Sequence, residues 1–166
     1  MTQAWFSIEN RVNAQDIAET SATAKVPLGT RVKARHTTYG EGEFIYLKGV
    51  ADTILGSAAH YNADDFSTAL TVADAIGPIA IAMSANVADQ YGWYQVHGKN
   101  LATAVAADVA DNADLYLTAT PGMLDDADVA GDHINGIKAA SANATGGAST
   151  IETELWYPFT TNGADD

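Results

Sequence analysis

Arg31-Val32-Lys33-Ala34-Arg35 alternates cations with apolar residues, and Phe44-Ile45-Tyr46-Leu47 follows it across Tyr39-Gly40-Glu41-Gly42-Glu43. The first segment has period two, with Val32 and Ala34 on one face and three bases on the other, which predicts a half-buried strand. The second is a short unbroken apolar run rich in aromatic and β-branched side chains, which predicts a strand covered on both faces. Between them, two glycines allow positive φ and close backbone approach, so residues 39–43 read as a turn.

The same grammar recurs downstream. Residues 61–65 (Tyr61-Asn62-Ala63-Asp64-Asp65) form a turn, residues 78–83 alternate large with small, and Tyr91-Gly92-Trp93-Tyr94-Gln95-Val96-His97-Gly98 sets three aromatics between glycines. Residues 114–119 alternate again and stop at Pro121-Gly122. Residues 133–140 and 150–159 supply two more strands, while residues 101–109 are alanine-rich and read as helical by propensity. The prediction is a mainly β chain: a compact β-barrel or β-sandwich of about seven to nine short strands, with an N-terminal arm and at most one or two short helices. Residues 1–24 form the arm, with a short helix over 10–19. Residues 25–160 form the β-rich domain, and residues 161–166 a flexible tail. Residues 141–149 are low in complexity and read as a flexible loop.

The chain has 166 residues, enough to bury about 69% of its unfolded surface without staples. It has no cysteine, which excludes disulfides, zinc–thiolate sites and thiol nucleophiles. The longest apolar run, near residues 76–85, is too short and interrupted for a membrane span, and the N-terminus has no basic flank before an apolar stretch. These features predict a soluble protein made in a cytoplasm. The formal charge is −13, which disfavours direct binding to nucleic acid or to anionic membranes. That charge is uneven, +1 over residues 1–50 and −14 over the remainder. A basic strand able to dock on an acidic partner is one reading, and a strand that balances nearby carboxylates is the other. Only 17% of residues are charged, and alanine, glycine and threonine replace them, as in proteins that hide part of their surface in an assembly.

No constellation for catalysis emerges. Asp126, Asp128 and Gly131 match the first, third and sixth positions of a calcium loop, but Ala130 and Ile137 stand where two further ligands belong. Asp125, Asp126, Asp128 and Asp132 therefore read as a solvated acidic loop, and Asp108, Asp111 and Asp114 as loop aspartates. His36, His60, His97 and His133 show no metal-ligand spacing, and His97 has no nucleophile elbow to serve. Gly40-Glu41-Gly42 lacks the lysine and third glycine of a phosphate loop. Catalytic, cofactor and metal residues are predicted to be none. For the aromatic strand, the readings are core, subunit interface or a stacking platform for sugars.

Val26-Pro27-Leu28-Gly29-Thr30, residues 39–50 (Tyr39-Gly40-Glu41-Gly42-Glu43-Phe44-Ile45-Tyr46-Leu47-Lys48-Gly49-Val50) and Gln90 to Gly98 resemble the capsid decoration, or cement, proteins of tailed bacteriophages. The resemblance spans roughly residues 26–140. It implies a non-enzymatic β-rich virion protein on the outer capsid surface, commonly a homotrimer that bridges capsomers, with the major capsid protein and itself as partners and no cofactor. On that basis Trp5, Phe6, Arg11, Arg31, Lys33 and Arg35 are expected at a capsid or subunit interface. Phe44, Tyr46, Tyr91, Trp93 and Tyr94 are expected in the core or the trimer seam. The rivals are a tail- or fibre-associated virion protein, and a carbohydrate-binding or carbohydrate-active domain that uses Trp93 and a carboxylate pair.

Overall fold

The apolar run 44–47 lies at the centre of the molecule. The computed structural model describes residues 5–7 and 14–161. Among them are twelve strands, the first six being β1 (Trp5–Ser7), β2 (Thr20–Ser21), β3 (Arg31–His36), β4 (Gly40–Lys48), β5 (Ala58–Tyr61) and β6 (Thr68–Leu70). The rest are β7 (Gly77–Ala82), β8 (Tyr91–Val105), β9 (Asp114–Leu117), β10 (Leu124–Asp125), β11 (His133–Ala139) and β12 (Ser149–Thr160). All join one sheet in the order β1-β3-β4-β8-β10-β9-β11-β12-β7-β5-β6, with β2 paired to β8. Because β7 and β12 also pair with β8, strands β8, β10, β9, β11, β12 and β7 close into a ring of six. The mainly β class is as expected. The strand number is higher than seven to nine, because β1, β2, β6 and β10 span only two or three residues, too few for a period to show.

Three cores fill this sheet. The ring encloses Ile79, Ile81, Val105, Leu115, Leu117, Leu124, Ile134, Ile137, Ile151 and Leu155. Even-numbered β4 residues Phe44 and Tyr46 turn to Trp93, Val32, Ala34 and Trp5, whereas odd-numbered Ile45 and Leu47 turn to Tyr94, Val96 and alanines of β5 and β7. Strand β4 is thus covered on both faces, as its unbroken apolar run requires. Its start differs from the sequence reading: the turn falls at residues 37–39, and Gly40 already opens β4. Gly40 has φ +81°, while Gly42 leaves room for the Trp5 indole, which would lie 3.0 Å from any added Cβ.

Strand β8 runs fifteen residues through a bend at Gly98, φ +92°. Its first half pairs with β4 and β7, and its second half pairs with β12 from Val105 back to His97. Side chains secure the bend: the Gln95 amide donates to the His97 and Lys99 carbonyls at 3.0 and 3.1 Å, and Asn100 donates to Gln95 Oε1 at 3.0 Å. Thr103 and Thr153 hydroxyls meet at 2.7 Å across the ladder. The helix that propensity allows over residues 101–109 does not form, because β12 pairs with residues 97–100 and 103–105 across one bulge and that pairing outweighs alanine's propensity.

The described part of residues 1–24 is fastened to the domain. Strand β1 pairs antiparallel with β3, β2 pairs with β8, and Trp5 is 6% exposed against His36 and Phe44. Gln15, equally buried, is the main fastener. Its Oε1 accepts from the Tyr46 hydroxyl at 2.6 Å, its amide donates to the Glu19 and Tyr91 carbonyls, and its own carbonyl accepts from Trp93 Nε1 at 3.1 Å. Residues 14–19 contain no α-helix; the rest of the predicted helix, with Arg11, lies outside the described residues. The predicted flexible tail, except Thr161, does too. Residues 141–149 are a braced loop: Asn143 bridges to Val109 and its amide donates to the Ala107 and Gly147 carbonyls.

Candidate functional site

The site is an open corner of the sheet where β3, β4, β8 and β12 lie side by side. Strand register sets its composition. Lys33 lies opposite Glu43, Glu43 opposite His97, and His97 opposite Trp156; beside this row, Arg35 faces Glu41 and Lys99 faces Glu154. Further along the same face, Ile45, Leu47, Tyr94 and Val96 are roofed by β5 and β7. The open part therefore begins where the side chains change from apolar to charged.

Its electrostatics are local pairs. Arg31 forms an ion pair with Glu43 at 3.0 Å and donates to the Tyr61 hydroxyl at 3.2 Å. Burial works against the Arg31 charge, but Glu43 and Tyr61 outweigh it and raise its pKa above the ordinary value. Tyr157 donates to Glu43 at 2.8 Å, and this bond, followed by burial, raises the phenol's pKa. Lys99 is raised chiefly by its bond to Glu152 at 2.6 Å. The rings are engaged as well: His97 lies 5.1 Å from Tyr157, Arg31 lies 6.0 Å above Tyr157, and Tyr39 takes His36 at 4.9 Å and Lys99 at 4.8 Å. Among the described residues, Lys33 and Arg35 make no ion pair.

This face gathers part of the interface set expected from sequence. Arg31, Lys33 and Arg35 point outward from β3, while Val32, Ala34 and His36 point inward. Trp5 is not with them, because the room beside Gly42 draws its indole into the chain's own core. For Phe6 the structure gives only its backbone place in β1, opposite Arg35. Of the core-or-seam set, Phe44, Tyr46, Trp93 and Tyr94 are fully buried within this chain, and Tyr91 is half-buried against the same core. Trp93 therefore offers no face on which a sugar could stack.

Sequence reasoning missed the aromatic residues of β12 that reach solvent. Trp156 and Tyr157 are each 49% exposed and Phe159 is 44%. The signal was present: Ile151, Thr153 and Leu155 point inward, so Glu152, Glu154 and Trp156 must point outward. Tyr157 then breaks the alternation with φ +53°, which puts two consecutive aromatics on the outside. A groove of about 260 Å³ lies here, lined by Tyr39, His97, Lys99, Glu154 and Trp156 among others.

The acidic loop is occupied structurally. Asp126 accepts from the Ala110 amide at 2.8 Å, Asp125 from Ala127 at 3.0 Å, and Asp132 from Asp74 at 2.6 Å. Asp108 likewise accepts from Gly146. Burial raises the Asp125 pKa. Among the described residues no three His, Cys, Asp or Glu side chains converge as a metal site would require.

No family model, curated protein or solved structure matches the chain. Residues 26–30, 39–50 and 90–98 meet in space: β4 pairs with β8, and Gly29 and Thr30 exchange backbone bonds with Tyr46 at 2.8 and 2.9 Å. They form the scaffold behind the open corner.

Proposed function

We propose that this chain is a non-enzymatic structural protein of a tailed-phage virion, which binds the outer capsid surface and bridges capsomers as a homotrimer. The observation that carries the reading is the outward face of β3, where Lys33 and Arg35 stand exposed, with no ion pair among the described residues, in a chain of net charge −13. The resemblance of residues 26–30, 39–50 and 90–98 to cement proteins supplies the partner class. Cations concentrated on one face of an acidic protein orient it toward an acidic surface and keep its other faces apart in a crowded particle. Three such faces in a trimer convert modest contacts into strong retention. Arg31 belongs to the support, since Glu43 and Tyr61 hold it in place.

Co-sedimentation with capsids of the encoding phage tests this. The wild-type chain is expected in the capsid pellet, and the double variant Lys33→Gln/Arg35→Gln in the supernatant with its thermal midpoint unchanged. Pelleting of the variant like the wild type would refute the docking face. Attachment to tails instead of capsids would replace the reading with a tail- or fibre-associated protein.

A further inference from the structure

Trp156 differs from the other aromatics of the open corner. Tyr157 and Tyr39 have their rings engaged by His97, Arg31, His36 and Lys99, whereas Trp156 makes no ring or cation contact among the described residues. Its backbone pairs with β8 at His97, and the neighbouring Leu155 pairs with β11 and β8 alike, so the indole rides on a rigid ladder. Beside it the groove presents an acceptor in Glu154, a donor in Lys99, and in His97 a ring able to do either.

We propose that this groove binds neutral glycans, with one pyranose ring laid on the Trp156 indole. The C–H face of a pyranose is apolar and slightly positive, and matches the negative face of an indole. Its equatorial hydroxyls need donors and acceptors at the rim, which Lys99, His97 and Glu154 supply. Charge decides against anionic sugars. Arg31 and Lys99 are already neutralised by Glu43 and Glu152, Glu154 adds a negative charge, and the chain as a whole carries −13. The unpaired cations Lys33 and Arg35 stand on β3, with β4 and β8 between them and β12, so beside the Trp156 indole no unpaired cation holds a uronate, sulfate or phosphate. A volume of about 260 Å³ accommodates a single sugar unit, with the rest of the glycan in solvent. Platforms on strands need little ordering when the ligand arrives. The groove and the docking cations share one face of the sheet but sit on different strands, Trp156 on β12 and Lys33 and Arg35 on β3, with β4 and β8 between them.

The three tryptophans make the test selective. Trp5 and Trp93 are buried and Trp156 is exposed, so acrylamide quenching and ligand-induced emission shifts report on the groove. The full chain is titrated with trisaccharides of glucose (α- and β-linked), mannose, galactose and N-acetylglucosamine, into the tens of millimolar. At least one is expected to shift the emission and protect Trp156 from acrylamide, with a dissociation constant on the order of 1 mM. Trp156→Ala is expected to abolish binding, measured for this variant by ligand-observed NMR, with an unchanged thermal midpoint. Trp156→Tyr is expected to retain part of the binding, and Glu154→Gln to weaken it several-fold. Three results would overturn the proposal: no response to any neutral trisaccharide, binding of charged glycans only, or undiminished binding by Trp156→Ala.

Discussion

Replacing Gln15 with alanine tests how the N-terminal segment is held. The side chain makes three hydrogen bonds from a buried position: one from the Tyr46 hydroxyl, and one each to the Glu19 and Tyr91 carbonyls at 2.7 and 2.9 Å. Each bond contributes about 1 kcal/mol net, and a buried group left without its partner costs about 1–3 kcal/mol. Tyr46 is wholly buried, and its hydroxyl would lose its acceptor while still accepting from the Lys25 amide at 3.2 Å. The total is about 3 kcal/mol, which for a chain of this length lowers the thermal midpoint by about 6–12 °C. Circular dichroism and tryptophan emission should report the same transition, because Trp93 Nε1 bonds to the Gln15 carbonyl. Gln15→Glu keeps the acceptor for Tyr46 but sets a carboxylate against two carbonyls, so it should be at least as damaging. A midpoint within about 2 °C of wild type for Gln15→Ala would refute the fastening role.

Three further outcomes follow from the packing and from one titrating group. Trp93→Ala empties the centre of the β4–β8 core and should cost about 3–5 kcal/mol in urea unfolding, whereas Trp156→Ala should cost less than about 1 kcal/mol. Gly98→Ala places a Cβ 2.6 Å from the Glu41 carbonyl oxygen at a positive φ, and should destabilise by about 2 kcal/mol or more; a neutral result would mean that β8 does not bend there. His60 has its pKa lowered by burial, and its Nε2 donates to Thr160 Oγ1, which itself donates to the Ala75 carbonyl. The unfolded chain then takes up the proton first. Stability is complete above the ordinary value of 6.5 and declines as pH falls from there toward the lower folded value. In His60→Gln, unfolding midpoints between about pH 7 and pH 5.5 should fall less steeply than in wild type; an identical slope would exclude His60.

Local pattern carried much of the fold. Arg31 to Arg35 alternates and is half-buried as written, and residues 44–47 are covered on both faces as an unbroken apolar run must be. Long-range pairing was not legible. Residues 102–106 read Ala-Thr-Ala-Val-Ala, which favours helix locally, and only β12, some fifty residues on, makes them a strand. Trp5 resembled an exposed anchor because nothing near it in sequence shows that Gly42 leaves space for an indole. At the site, the charged residues of β3 were legible, but their neighbours were not, since β4, β8 and β12 meet there only through sheet register. Trp156 was the exception. Its outward direction follows from the residues just before it, whereas Trp93 lies among glycine and uncharged side chains that mark a strand buried on both faces.

The most direct measurement is a reconstruction by electron cryomicroscopy of capsids bearing the chain. The expected result is trimeric density on the outer shell at local three-fold positions, with Lys33 and Arg35 of β3 turned to the shell and the acidic loops around Asp126 turned to solvent. Density confined to the tail, or a capsid contact made through the acidic loops with β3 facing outward, would contradict it.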